Sequence, residues 1–336
     1  CGSGDELYSV FGHTAIRVYD PGIALDLVYN FGTFDFDTPN FYLKFVKGDM
    51  KYFVSVSSYD DFVYTYKYFN RDVFEQQLNL SQTEKQNIAN ELSSILLSDR
   101  RFYTYKFIDR NCTTMVADII NKYIPAKISL KNTDAGKTNR TIIYEYLNNS
   151  FYENLGISLI FGYKTDKEQY KLFLPKQLME GVSNTTEPAG PLAKPAVTVY
   201  KSTAVAQTSW WNNFYTFSLM CLLLIYFSKN RIVLRSLFAL FGLLGIFFCF
   251  VGFYSYHDEI SQNYNALLIN PLLLLLLIFI FCKNTKAVLY TSYICFVCIG
   301  AYIIFMLNKP HIFIVTPLIA LIAVLLLRTI KSAKSA

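Results

Sequence analysis

The chain has 336 residues, 53% hydrophobic and 17% charged, with a formal net charge of +6, a size that suits one or two globular domains. The average conceals two unlike halves: residues 209–336 hold nine Lys/Arg against two acids, Asp258 and Glu259, a balance of +7 that leaves residues 1–208 at −1. A nucleic-acid surface on the first half therefore has no electrostatic support, and 15 Gly, 10 Pro and 7 Cys exclude collagen-like, disordered and disulfide-dense classes.

Residues 13–19 and 26–32 alternate apolar and polar positions and are joined by Asp20-Pro21-Gly22, which predicts a β-hairpin. Thr38-Pro39 ahead of FYLKFVKG predicts a short helix with Thr38 as N-cap, Pro39 at its first position and Gly48 past its end. Aromatic and β-branched residues predict strands at 51–58, 63–69 and 73–80. Ser81-Gln82-Thr83-Glu84 is a capping box opening a helix whose core stripe is Ile88, Leu92, Ile95 and Leu96. A strand at 102–107 then leads through Asp109-Arg110-Asn111-Cys112 into a helix ending near Tyr123, and helical segments follow at 139–148, 151–160 and 166–180. Residues 183–208, rich in Pro, Ala, Thr and Ser without periodicity, read as a tether. The expected partition is an α+β extracytoplasmic domain over 1–182, a linker over 183–208 and an all-α membrane domain over 209–336.

Spanning a hydrocarbon core about 30 Å thick takes roughly 20 apolar residues in a helix. Five stretches come close, at about 210–227, 233–256, 265–282, 287–307 and 311–327, the last interrupted by Pro317. Eight Lys/Arg fall in the connections 228–235 and 283–286 and the tail 328–336, against one, Lys309, with the two acids, in the alternate connections. The positive-inside rule then places the C-terminus in the cytoplasm and the first half outside it. Trp210, Trp211, Tyr254, Tyr256 and Tyr264 suit an interfacial aromatic belt. The chain opens on Cys1 rather than Met, which predicts a removed signal peptide or a trimmed start, and Cys1-Gly2-Ser3 resembles the beginning of a mature bacterial lipoprotein.

The first half contains one His, His13, and one Cys within its folded pattern, Cys112. Cys112 follows a strand and begins a helix, so unpaired N–H groups and the positive end of the helix dipole favour its thiolate. His13 opens the hairpin behind Gly12, where an imidazole can project towards that helix start and act as base. A four-residue turn at Asp20–Ile23 sets His13 opposite Asn30, whose side-chain oxygen would orient the ring. The plain alternatives are a buried small hydrophobe at Cys112, a merely hydrogen-bonded His13, and a Cys1–Cys112 disulfide. One His and one Cys do not fill a zinc shell, so neither metal nor other cofactor is expected. Cys295 and Cys298, inside an apolar span, read as packing.

The segments GDELYSVFGHTAIRV at 4–18, VYNFGTFDF at 28–36 and Asn111-Cys112-Thr113-Thr114 together resemble the extracytoplasmic domain of the Lnb family, lipoprotein N-acyltransferases of Bacteroides-type bacteria. His257, Asn263-Tyr264-Asn265 and Asn270-Pro271 resemble its membrane domain. The order His before Cys is similar to that of circularly permuted papain/NlpC-like and lecithin:retinol acyltransferase-like thiol enzymes. The resemblance implies Cys112 as nucleophile and His13 as base, with an inner-membrane location and a periplasmic first domain. It further implies a phospholipid acyl donor and a diacylglyceryl lipoprotein acceptor, both held in the lipid bilayer. His257, Asn263 and Asn265 are then candidates to bind those substrates at the interface. The rival expectations are a membrane-tethered cysteine amidase or peptidase acting on cell-wall peptide, and a non-enzymatic membrane sensor.

Overall fold

The computed structural model describes residues 1–335 except 7, 36, 129, 131, 132, 148, 149 and 205–208. It divides into two compact units, one of residues 1–146 and 167–206, the other of residues 147–166 and 207–336.

In the first unit β1 (Ala15–Asp20) and β2 (Leu25–Thr33) form the expected hairpin, around a tight turn at Pro21–Ile23 where the Asp20 side chain accepts from the Gly22 N–H. α1 (Phe41–Lys47) starts later than the Thr38-Pro39 cap expected for it: Asn40, at φ 58, stands at its N-cap, and Gly48, at φ 72, closes it. β3 (Lys51–Ser58) has the expected bounds. The strand expected at 63–69 is instead part of a helix, α2 (Tyr59–Tyr68). Ser58 caps the Asp61 N–H, Asp60 and Asp61 complement the dipole in the first turn, and Phe62, Val63 and Tyr66 fall on one face against Val28 and Val73. That cap and that buried face outweigh the modest β preference of Tyr, Val and Phe.

β4 (Val73–Glu75) keeps only the beginning of the 73–80 segment. α3 (Gln82–Leu96) grows from the complete Ser81/Glu84 capping box and buries Ile88, Leu92 and Ile95. β5 (Phe102–Thr104) completes an antiparallel sheet of order β1-β2-β3-β5. α4 (Cys112–Tyr123) presses Val116, Ile119 and Ile120 into the core shared with Phe31, Val54 and Leu92. α5 (Asn139–Tyr146) falls within the 139–148 segment, whose last residue is outside the described ones.

α6 (Phe151–Ile160) has the expected bounds yet belongs to the second unit, so the 1–182 partition needs correction. In place of a helix over 166–180 there is α7 (Pro175–Ser183), because Pro175 is favoured only in a first turn and sets the start. The tether expected at 183–208 is largely folded. It contains β6 (Thr186–Glu187), β7 (Gly190–Pro191) and β8 (Val197–Tyr200), and buries Leu192 and Ala193 in the core. β8 pairs antiparallel with β4, satisfying backbone groups that composition alone leaves unassigned. Residues 205–208 lie outside the described ones.

The second unit holds α8 (Phe214–Phe227), α9 (Arg231–Tyr254), α10 (Leu272–Phe281), α11 (Thr285–Met306) and α12 (Ile312–Lys334). The five helices differ in length. α9, α11 and α12 are long and apolar enough to cross a membrane, and a fourth crossing is broken, residues 258–267 meeting α10 at 42°. α8, at 14 residues, is about 21 Å long. α12 runs past Pro317 and beyond the expected end at 327. Gly242 and Gly245 let α9 approach the backbone of 269–274 closely: a Cβ on Gly242 would stand 2.5 Å from the Leu274 nitrogen, and one on Gly245 2.5 Å from the Ile269 oxygen. Such small-residue contacts are the usual substitute for a hydrophobic driving force between membrane helices.

Polar bonds tie residues 147–166 to this unit. The Asn265 side-chain amide donates to the Ser158 and Leu159 carbonyls at 3.0 Å, Asn263 donates to Leu159 and Ile160 at 2.8 and 3.1 Å, and the Tyr302 hydroxyl donates to Asn265 Oδ1 at 2.8 Å. Lys309 and Asp166 form an ion pair at 2.8 Å, and the Gly162 N–H donates to the Glu259 carbonyl. The two asparagines thus close the C-terminus of α6, as a helix end in an apolar setting requires. Replacing Asn265 by Ala removes its bonds to the Ser158 and Leu159 carbonyls and to the Tyr302 hydroxyl inside an apolar setting. It is expected to destabilise the unit by about 2–3 kcal/mol, seen as a lowered unfolding temperature of the full chain in detergent.

Candidate active site

Asn111 creates the start of α4. Its Oδ1 accepts from the Thr113 and Thr114 N–H groups, both at 2.9 Å, and its Nδ2 donates to the Phe107 and Phe173 carbonyls at 2.6 and 2.8 Å. Thr114 Oγ1 accepts from the Asn111 N–H at 2.9 Å, completing a reciprocal cap. Asn111 is 3% exposed, and its bonds to Thr113, Thr114 and Phe173 are buried. Cys112 is consequently the first helical residue, half-buried, at the positive end of the helix dipole. Cys1 and Cys112 are both free thiols, which removes the disulfide alternative.

His13 stands just ahead of β1. Gly12, at φ +82, turns the chain, and the His13 N–H donates to the Cys1 carbonyl at 3.1 Å. The ring's Nε2 meets Asn30 Oδ1 at 2.7 Å. An amide oxygen only accepts, so Nε2 carries the hydrogen and Nδ1 is the nitrogen left for the sulfur. The strand register differs from the expected one: Asn30 lies opposite Ala15, two residues further along than His13. A shift of two keeps the face, since side chains alternate with a period of two, and the imidazole reaches back diagonally to the same asparagine.

β2 approaches the pair at Gly32, where its pairing with β3 is irregular between Asn30 and Thr33. Gly32 has φ +100, and a Cβ there would lie 3.8 Å from Cys112 Cβ and 3.9 Å from His13 Cε1. The glycine is needed for that backbone conformation, while a Cβ there would make ordinary van der Waals contact with both side chains. Tyr66 from α2 stacks on the His13 ring at 6.3 Å and 14°, and the Arg71 guanidinium lies 4.8 Å from the Tyr66 ring centroid. Thr14 Oγ1 and Thr113 Oγ1 hydrogen-bond across the site at 3.1 Å.

Burial pushes the Cys112 thiol up. The charge of the His13 imidazole, its hydrogen bond to the sulfur, the Thr14 N–H and the Thr113 hydroxyl outweigh that and hold the thiol at about 7 instead of 9. A large fraction is therefore thiolate near neutral pH, at the positive end of the α4 dipole, which favours negative charge developing on a reacting carbonyl.

The other sequence-derived candidates lie in the second unit. His257 is half-buried ahead of a short helical turn at Asp258–Ile260, and its neighbour Asp258 pairs with Lys164 at 3.3 Å. Asn263 and Asn265 have the capping role described above. Sequence reasoning did not identify Gly32, Thr14, Thr113 or Tyr66. An isolated Gly inside a strand pattern signals an irregularity or a close approach, so Gly32 was within reach, whereas Tyr66 lay on a segment read as a strand.

Iodoacetamide alkylation of Cys112 should rise with pH to half-maximal rate at about 7, and in His13→Ala the midpoint should move upward, because the largest thiolate-favouring influence is gone while burial remains. Gly32→Ala should retain the fold yet lower both alkylation and turnover by about tenfold or more, corresponding to at least ~1.4 kcal/mol at the site, measured as rates beside circular dichroism.

The chain matches the family model of the Lnb N-terminal periplasmic domain over residues 1–149 and that of the Lnb transmembrane domain over residues 214–335. No curated protein and no solved structure matches it.

Proposed function

The chain belongs to the Lnb family, a membrane protein with a periplasmic domain, and from that premise we propose that it is a lipoprotein N-acyltransferase working through a thioester on Cys112. The observation that carries this reading is a half-buried thiol at a helix start, lowered by an imidazole whose far nitrogen is held by Asn30 at 2.7 Å.

In the first step His13 Nδ1 takes the Cys112 proton and the thiolate attacks the ester carbonyl of a membrane phospholipid. The carbon–sulfur bond forms, the ester carbon–oxygen bond breaks, and the lysophospholipid leaves with the proton returned by His13. In the second step the α-amine of a diacylglyceryl-cysteine lipoprotein attacks the thioester, His13 accepts its proton, and the Cys112 thiolate departs, leaving an amide. Asn30 Oδ1 fixes the ring tautomer through both steps. Partial exclusion of water from a half-buried sulfur favours the amine over hydrolysis.

Both substrates carry fatty chains that stay in a bilayer, which accounts for joining this thiol to apolar helices. The Lys/Arg residues flanking the α8–α9 junction, the α10–α11 junction and the end of α12 support an inner-membrane orientation with a cytoplasmic C-terminus.

The test is expression of wild type and Cys112→Ser in a host lacking lipoprotein N-acylation, with lipopeptide N-termini read by mass spectrometry. Wild type is expected to add a third acyl chain, Cys112→Ser to add none, and His13→Ala to slow transfer by about 10²–10⁴-fold. A wild type that adds no chain, or a serine variant that still does, overturns the proposal.

A further inference from the structure

α1 presents its apolar face outward. At 3.6 residues per turn, Phe41, Lys44 and Lys47 fall on one side of this helix and Tyr42, Leu43, Phe45 and Val46 on the other. A surface helix ordinarily sets its apolar stripe on the core and its charges in water. Here the two lysines are half-buried, Lys47 pairing with Asp49 at 2.6 Å, whereas Tyr42 is 80% and Leu43 72% exposed and Phe45 and Val46 are exposed beside them. Tyr8, also exposed, extends the patch: its ring meets Phe34 edge-on at 6.4 Å, and Phe34 lies 6.0 Å from Phe41. Phe34 stands two residues beyond Gly32, and Phe34, Phe41 and Cys112 pack against one core cluster. Apolar side chains therefore link the outer face of α1 to the core on which the thiol packs. A contiguous apolar patch of this kind marks a surface that meets something other than water.

We propose that the Tyr42, Leu43, Phe45 and Val46 face of α1 docks into the surface of the lipid bilayer that holds the transmembrane domain. The family match supplies the setting, a periplasmic domain in one chain with membrane helices. Tyr, Phe, Leu and Val together on one side of a helix that carries two lysines and no acid have the chemistry of an interfacial helix, whose apolar side chains lie at the boundary of headgroups and acyl chains while basic groups favour anionic headgroups. Size also favours lipid over protein. Seven residues make a helix about 10 Å long, small against the roughly 800 Å² per partner that a stable protein interface buries, whereas an interfacial helix has only to submerge its own apolar face. Docked in this way, α1 brings the apolar side chains that lead towards Cys112 into contact with lipid chains, so a long-chain substrate reaches the domain without crossing water. The docking itself does not depend on the reaction at Cys112.

The experiment uses the full-length protein in phosphatidylethanolamine–phosphatidylglycerol vesicles, with p-benzoylphenylalanine placed in separate samples at position 42, at position 43 or, as an exposed polar site on α3, at position 87 in place of Asn87. After illumination, the adducts are identified by mass spectrometry. Lipid adducts at 42 and 43 are expected to exceed those at 87 by about tenfold or more. Adducts at 42 and 43 that are chiefly to protein, whether this chain or another, overturn the proposal in favour of a protein contact. Lipid adducts no more frequent there than at 87 overturn it as well. Because these adducts form with or without turnover, either failure leaves the acyl-transfer reading standing, and a failure of that reading leaves the docking to be decided by the adducts alone.

Discussion

At the sulfur of Cys112 two opposing effects meet, and the rest of the first unit is arranged around their balance. Burial removes water that would solvate a thiolate, while the imidazole of His13 supplies the opposite charge and a hydrogen bond, and the second effect prevails. That outcome requires the sulfur and the ring to be held by separate, rigid supports, since a displacement of either would restore an ordinary inert thiol. Asn111 provides one support, anchoring the start of α4 to the carbonyls of Phe107 and Phe173 as well as capping it. β2 provides the other, through the Asn30 side chain that holds the ring.

The irregular pairing of β2 with β3 between Asn30 and Thr33 follows from the same requirement. Position 32 sits at φ +100 beside thiol and imidazole, a backbone conformation that a residue with a side chain rarely adopts. Strand irregularities re-aim neighbouring groups, and here the irregular stretch carries Asn30, which holds the base, and Gly32, which lies beside both thiol and imidazole.

In the second unit the governing constraint is that backbone polar groups cannot be left bare in an apolar setting. The end of α6 and the break between residues 258–267 and α10 both expose carbonyls, and Asn263, Asn265 and Tyr302 satisfy or support them. The same asparagines resemble the family's pattern in the sequence, and their hydrogen bonds give them a structural role at the end of α6.

Much of this was legible in the amino-acid order wherever the cause was local. The Ser81/Glu84 box, the hairpin around Asp20-Pro21-Gly22 and the helix begun at Cys112 each depend on residues within a few positions of one another. The division into an α+β part and an apolar helical part likewise follows from hydropathy and charge summed along the chain. The elements that composition misassigned are those in which distant partners had the deciding influence. Residues 59–68 became helical because a face of Phe62, Val63 and Tyr66 found Val28 and Val73 to pack on, and residues 197–200 became a strand because β4 offered an unpaired edge. Asn30 and His13 share a strand face because the register is displaced by two residues and not by one, but their actual spacing and their approach to Cys112 depend on how β1, β2 and α4 close on one another. Short-range chemistry is written in neighbouring residues, whereas side chains 17 or 99 positions apart meet only when burial of the whole core selects one packing from many.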